Sequence, residues 1–190
     1  SWNLHGLYPD IFNNEINGKQ AKQLFNDANV ILDKIINEKL FKAKGIFGLF
    51  PANSINDDDI ELYADEDRTK VLDKLITLRQ QSKKRDGVAN IALSDYIAPK
   101  NSNIKDYIGL FSVSSGFGCD ELCSTYEKNN DDYNSIMAKA IADRLVEAFA
   151  EYLHKLIRTK YWGYNKNEKT TNEDLIKEKY QGIRPAPGYP

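Results

Sequence analysis

Cysteine is scarce in this sequence: Cys119 and Cys123 are the only two among 190 residues. Two thiols cannot build the disulfide framework of a small secreted domain, so a reducing compartment, the cytoplasm, is expected. Histidine is just as scarce, with His5 and His154. Zinc on the Cys-x-x-x-Cys pair would need two further ligands, and both histidines lie far off along the chain. The cysteines therefore read as free thiols at a helix start. No apolar run approaches the roughly 20 residues that span a bilayer, so no membrane is expected. The net charge is −2, from 26 basic and 28 acidic residues mixed along the chain. No basic face is set out for phosphate backbones, which argues against nucleic acid. The opening "SWNLHGLYPD" has neither a basic n-region nor an apolar h-region and does not read as a signal peptide.

Catalytic signatures are missing too. There is no Gly-x-Ser-x-Gly elbow, no P-loop and no His-Glu-x-x-His pair. "SSGFGCDE" (114–121) places Gly116-x-Gly118 after a strand, but Glu121 stands at the third glycine position. The segment reads as a turn that uses glycine for positive φ, not as a dinucleotide loop. His154 sits beside Leu153 on a helical pattern with no nucleophile paired to it, and reads as a packed or capping residue. The chain reads as a binder and not as a self-sufficient catalyst.

Composition is otherwise that of a soluble globular domain, with 41% apolar and 28% charged residues. Residues 17–40 carry Ala21, Leu24, Phe25, Ala28, Ile31, Leu32, Ile35 and Ile36 at steps of three and four. That is one apolar stripe on a helix of about six turns. "GIFGLFPAN" (45–53) reads as a buried strand and "DIELYAD" (59–65) as a half-exposed one. Asn56, Asp57 and Asp58 between them signal the turn of an antiparallel hairpin. The spacing over 68–84 predicts a second amphipathic helix, 89–99 an extended segment, and 105–118 a core strand. The longest helical pattern covers 131–164, with Asp131 and Asp132 at its positive end and Lys155, Arg158 and Lys160 at its negative end. A short helix capped by Thr171 and Asn172 follows. The expectation is one α+β domain, 1–190, with an antiparallel sheet and a long helix at about 131–160.

The chain closes on "GIRPAPGYP" (182–190). Pro185 and Pro187 fix φ near −65° and push the residues before them out of the helical region, so the segment must be extended. Its backbone can meet an adenine edge as a strand would, with Ala186 the only free donor between the prolines. Gly188 permits the close approach of a flat ligand, Arg184 offers a planar fork to a carboxylate, and Tyr189 offers a stacking face. These groups describe a site for an amino-acid-bearing nucleoside; the alternative is a proline-rich structural crossing. Glu147, on the flank of the long helical stripe, reads from the sequence alone as a solvated residue or one salt-bridged to Arg144.

"GLFPAN", "LRQQ", "DYIGLFSV", "DDYNSIMAKAIADRLVEAFAEYLH", "YWGY" and "YQGIRPAPGYP" together resemble the activation domain of cobalamin-dependent methionine synthase. The resemblance runs over all 190 residues. It implies a twisted antiparallel sheet flanked by helices, unlike Rossmann-type methyltransferases. The family's S-adenosylmethionine signature, Arg-x-x-x-Gly-Tyr, falls on Arg184, Gly188 and Tyr189. The arginine binds the methionyl carboxylate in that family, and main chain around Ala186 and Tyr189 meets the nucleoside. A glutamate of the long helix also lies in the family's site, and Glu147 matches it.

The implied role is reactivation, as part of a methyltransferase: reductive remethylation of oxidised cob(II)alamin with S-adenosylmethionine as methyl donor. Flavodoxin or an equivalent reductase supplies the electron, and the cobalamin-binding domain of the same enzyme is the partner. No Asp-x-His-x-x-Gly cobalamin-ligand motif is present, so the corrin is expected on another domain. The family's site also uses an aspartate upstream of the position of Ser1, and the family continues beyond "PGYP". The chain is thus expected to be most of an activation domain, truncated at both ends. The alternative is a fragment that keeps the fold and binds no ligand.

Overall fold

Gly118 ends one element and begins the next. Its φ is +99°, and a Cβ there would lie 2.0 Å from the carbonyl oxygen of Leu40. No side chain fits, so the turn inferred from "SSGFGCDE" requires this glycine. It stands in a computed structural model that describes residues 4–185. The elements are α1 (Gly18–Asn37), β1 (Lys42–Ile55), β2 (Asp59–Tyr63), β3 (Val71–Ile76), β4 (Asp106–Phe117), α2 (Cys119–Lys128), α3 (Asp132–Leu156) and α4 (Asn172–Ile176). The strands form one sheet in the order β3-β2-β1-β4, and β1–β2 and β2–β3 pair antiparallel. This is the expected α+β class. No helix among the described residues is long and apolar enough to cross a membrane.

Two compact units make up the chain. Residues 1–45 and 113–153 form unit 1; residues 46–112 and 154–190 form unit 2.

Unit 1 is helical. Its core joins Ile31 and Ile35 of α1 to Cys119, Leu122 and Cys123 of α2 and to Met137, Ala138 and Ile141 of α3. The α1 stripe was legible at three- and four-residue steps, although Phe25 and Ile36 stay exposed. Asp131 starts α3: its carboxylate accepts the Asn134 N–H at 3.1 Å, which occupies one of the unpaired donors of the first turn. The two cysteines are free and buried, with their sulfurs 3.8 Å apart. Burial, with Cys123 alongside, pushes the Cys119 thiol up to about 12.

Unit 2 carries most of the sheet. Its apolar cluster is small, with Ala52, Ile60 and Leu62 at the centre and Phe50, Leu75, Leu93, Ile97 and Ile108 packed on it. The β1–β2 hairpin turns at Asn56 and Asp57, both at positive φ, and Ile55 faces Asp59 across it. β1 is longer than the expected strand, and only Pro51, Ala52 and Asn53 are buried along it. β4 covers the expected 105–118 stretch but is half-buried, with Ser115 its one buried position.

The expected helix over 68–84 is instead β3 followed by irregular chain. Val71 pairs with Tyr63, and Asp73, Lys74, Leu75 and Ile76 pair with Leu62, Glu61, Ile60 and Asp59. A bulge between Leu62 and Tyr63 takes up the odd residue. Arginines tie down both ends of the segment. Arg68 donates to Asn53 Oδ1 (3.0 Å) and to the Asp106 carbonyl (2.6 Å). Arg79 donates to Asp58, to both Asp95 oxygens and to the Asp57 and Asn90 carbonyls. Tertiary pairing overrides a helix-like spacing of apolar residues. The 89–99 segment departs from its extended expectation too: Leu93–Tyr96 form a 3-10 turn, in which Asp95 accepts the Ala92 N–H at 2.9 Å.

Candidate functional site

α3 ends sooner than its 131–164 pattern. After Leu156 the chain makes one π turn, Ile157–Tyr161, closed by the Trp162 N–H on the Ile157 carbonyl (2.9 Å). Such turns re-aim side chains and recur at functional sites. Arg158 lies in this turn, four residues on from the buried His154 and beside the buried Ile157. The long-helix pattern sets Arg158 among the cations of its C-terminal end; in the structure it is wholly buried.

The Arg158 guanidinium donates from all three of its nitrogens. Nε and Nη2 donate to the two oxygens of Glu168, each at 2.7 Å, and both side chains are at most 2% exposed. Nη1 lies 2.7 Å from His154 Nδ1. Arginine only donates, so Nδ1 accepts and His154 is the neutral Nε2–H tautomer. That agrees with the packed role expected of His154 and leaves it no part as a base. Burial opposes the Arg158 charge, and the Glu168 carboxylate more than offsets this, so the guanidinium is held more firmly protonated than usual. Glu168 is held below its ordinary value by Arg158, against its own burial. Asn165 and Thr170 also donate to Glu168, at 3.3 and 2.9 Å.

The closing segment begins on this group. α4 is capped by Thr171, whose hydroxyl accepts the Asp174 N–H, as the Thr171/Asn172 signal implied. Tyr180 then lays its ring over Arg158, 4.0 Å from the guanidinium carbon to the centroid, with its edge to His154. Tyr164 Oη donates to the Gln181 carbonyl at 3.3 Å. Gly182 has φ +98°, and a Cβ there would lie 2.6 Å from Tyr164 Oη. The preceding "YWGY" is packed through its rings: Tyr161 on Phe47, Trp162 on Tyr107 and Tyr164. Arg184 follows, half-buried, on chain with no regular secondary structure.

Of the five residues expected in the site, Ala186, Gly188 and Tyr189 lie outside the described residues. Glu147 belongs to unit 1 and Arg184 to unit 2, and each is described with its own unit. Glu147 pairs with Arg144 at 2.9 Å, one of the two readings its sequence allowed. Sequence reasoning missed Glu168 and Tyr180 and misplaced Arg158. No periodicity links residues ten and twenty-two positions apart, and only the doubled aromatic residues of "YWGY" hinted at a packed corner.

The family model described as "Vitamin B12 dependent methionine synthase, activation domain" matches residues 1–190. The chain belongs to this activation-domain family. A solved structure, "Crystal Structure of the MetH Reactivation Domain bound to AdoHcy", is 54% identical to it with a TM-score of 0.90. The match covers 100% of this chain and 57% of that one, so the chain spans little more than half the length of the solved activation domain. The likeness bears out the resemblance carried by the sequence motifs and the α+β fold it implied.

Proposed function

We propose that this activation-domain chain binds S-adenosylmethionine through its closing motif and serves the reactivation of a cobalamin-dependent methionine synthase in the cytoplasm. The observation that carries the reading is the 54% identity, over the whole chain, to a reactivation domain bound to AdoHcy. AdoHcy is what the methyl donor becomes once its methyl group has left. In the proposed reaction, the cobalamin of the partner domain would take up one electron from flavodoxin or an equivalent reductase and the methyl group of the S-adenosylmethionine that this chain holds, and S-adenosylhomocysteine would leave. The corrin is assigned to the cobalamin-binding domain of the same enzyme; no residue of this chain is assigned to hold it.

What this chain does is hold and orient the donor. Arg184 fits that task by its chemistry: the residue is half-buried, and a guanidinium can match a methionyl carboxylate with two parallel hydrogen bonds. Ala186 and Tyr189 offer main chain to the nucleoside, and Gly188 lets it come close. Glu147 answers the positive charge of the donor, a role that rests on the family resemblance. Calorimetric titration of S-adenosylmethionine into the chain tests the reading. Arg184→Ala should weaken binding by roughly tenfold or more, the equivalent of one charge-assisted bond, and Arg184→Lys by less. Equal affinity for wild type and Arg184→Ala would sink the assignment; no binding by wild type would favour a fragment that keeps the fold alone.

A further inference from the structure

Arg158 cannot reach a ligand, because no part of it is exposed. Yet it is placed where the closing segment starts. Three of its five in-plane N–H donors go to Glu168 and His154, which fixes the plane of the guanidinium. The free face of that plane carries Tyr180 at 4.0 Å. Two residues on, Gly182 rests against the Tyr164 hydroxyl. Residues 180–182 are therefore seated on the buried Arg158 and on the Tyr164 hydroxyl, and Arg184 comes two residues later.

We infer that Arg158 is a positioning residue: locked by Glu168 and His154, it holds Tyr180 and so sets the path of the backbone that delivers Arg184 to the carboxylate of the methyl donor. This rests on the proposed binding of S-adenosylmethionine. Three physical features point the same way. A bidentate pair with both partners dry keeps one geometry, where an exposed pair samples many. A desolvated cation gains more over an aromatic face than an exposed one, and Arg158 is dry beneath the half-buried Tyr180 ring. Past α4 the chain has no regular secondary structure, and beyond the Lys179 N–H on the Asp174 carbonyl it is held by Tyr180 on Arg158 and by the Tyr164 hydroxyl on the Gln181 carbonyl. A lysine at position 158 would keep the charge near Glu168 but lose both the fork and the flat face.

The test pairs ligand binding with a readout that needs no ligand. S-adenosylmethionine affinity, thermal midpoint and amide exchange across 180–184 are measured for wild type, Tyr180→Ala, Tyr180→Phe and Arg158→Lys. Tyr180→Ala and Arg158→Lys should each weaken binding by about tenfold and speed exchange across 180–184. Tyr180→Phe keeps the stacked ring and should stay within about threefold of wild type. If Tyr180→Ala does not fold, Arg158→Lys and Tyr180→Phe decide alone. Wild-type affinity and exchange in Arg158→Lys would overturn the inference, as would equal losses in Tyr180→Phe and Tyr180→Ala. If wild type binds no S-adenosylmethionine, the functional reading fails, and exchange then decides the positioning role. Faster exchange across 180–184 in Arg158→Lys supports it; unchanged exchange overturns it.

Discussion

In unit 1, Ile31, Ile35, Leu122, Met137 and Ile141 close a core of ordinary apolar burial. In unit 2, the largest wholly buried side chain is Arg158, and a carboxylate is buried with it. Apolar contacts are non-directional: a stripe of isoleucine and leucine finds a partner at many orientations. A dry guanidinium tolerates one geometry and penalises every other, because each unmade bond leaves a buried polar group unsatisfied. The difference matches the tasks. A core of apolar helix faces tolerates some freedom, whereas a segment proposed to present one arginine to a ligand needs its course determined.

The sharpest way to break this contrast is Arg158→Ala. It leaves the Glu168 carboxylate buried without its partner and should cost about 3–5 kcal/mol, a large share of the stability of a domain. Urea unfolding should show the loss, and a change below about 1 kcal/mol would mean that water reaches Glu168 and that the pair is not dry.

Unit 1 has its own rigid point at Gly118. Gly118→Ala forces a Cβ against the Leu40 carbonyl at positive φ, which should cost about 1–3 kcal/mol of backbone strain or more. A thermal midpoint equal to wild type would show that the Leu40 backbone gives way freely.

Acid should separate the two regions next. The Glu168 pKa is lowered in the folded chain by Arg158, so the unfolded chain takes up this proton at the higher pH. The contribution of the pair is complete above the unfolded carboxylate value of 4.5 and is lost as pH falls through the lower folded value. A Glu168→Gln chain should be less stable at neutral pH, and its stability should converge on that of wild type as pH drops below that point. Parallel curves would assign the acid sensitivity to other carboxylates.

The smallest effect belongs to Arg144→Ala. Arg144 and Glu147 are 72% and 44% exposed, and a solvated pair of this kind contributes at most about 0.5 kcal/mol. An unfolding midpoint that falls clearly further would show that Arg144 does more in unit 1 than pair with Glu147.

Local pattern was enough wherever one element decides its own form. The α1 stripe, the Asn56–Asp57 turn, the Thr171 cap and the glycine at 118 were all legible, because propensity, turn chemistry and capping act over a few residues. Motifs extended this to the family and its fold, since Arg184, Gly188 and Tyr189 occur together in order. Three features needed the folded chain. Residues 71–76 have helix-like spacing, yet pairing with β2 and anchoring by Arg68 and Arg79 made them a strand. α3 gave way to a π turn, and Arg158, expected among the cations of the helix end, is buried in it. The joining of Arg158 to Glu168 and Tyr180 then followed. Each of these outcomes depends on partners distant in sequence, whose hydrogen bonds and burial outweigh the few tenths of a kcal/mol per residue on which local preference acts.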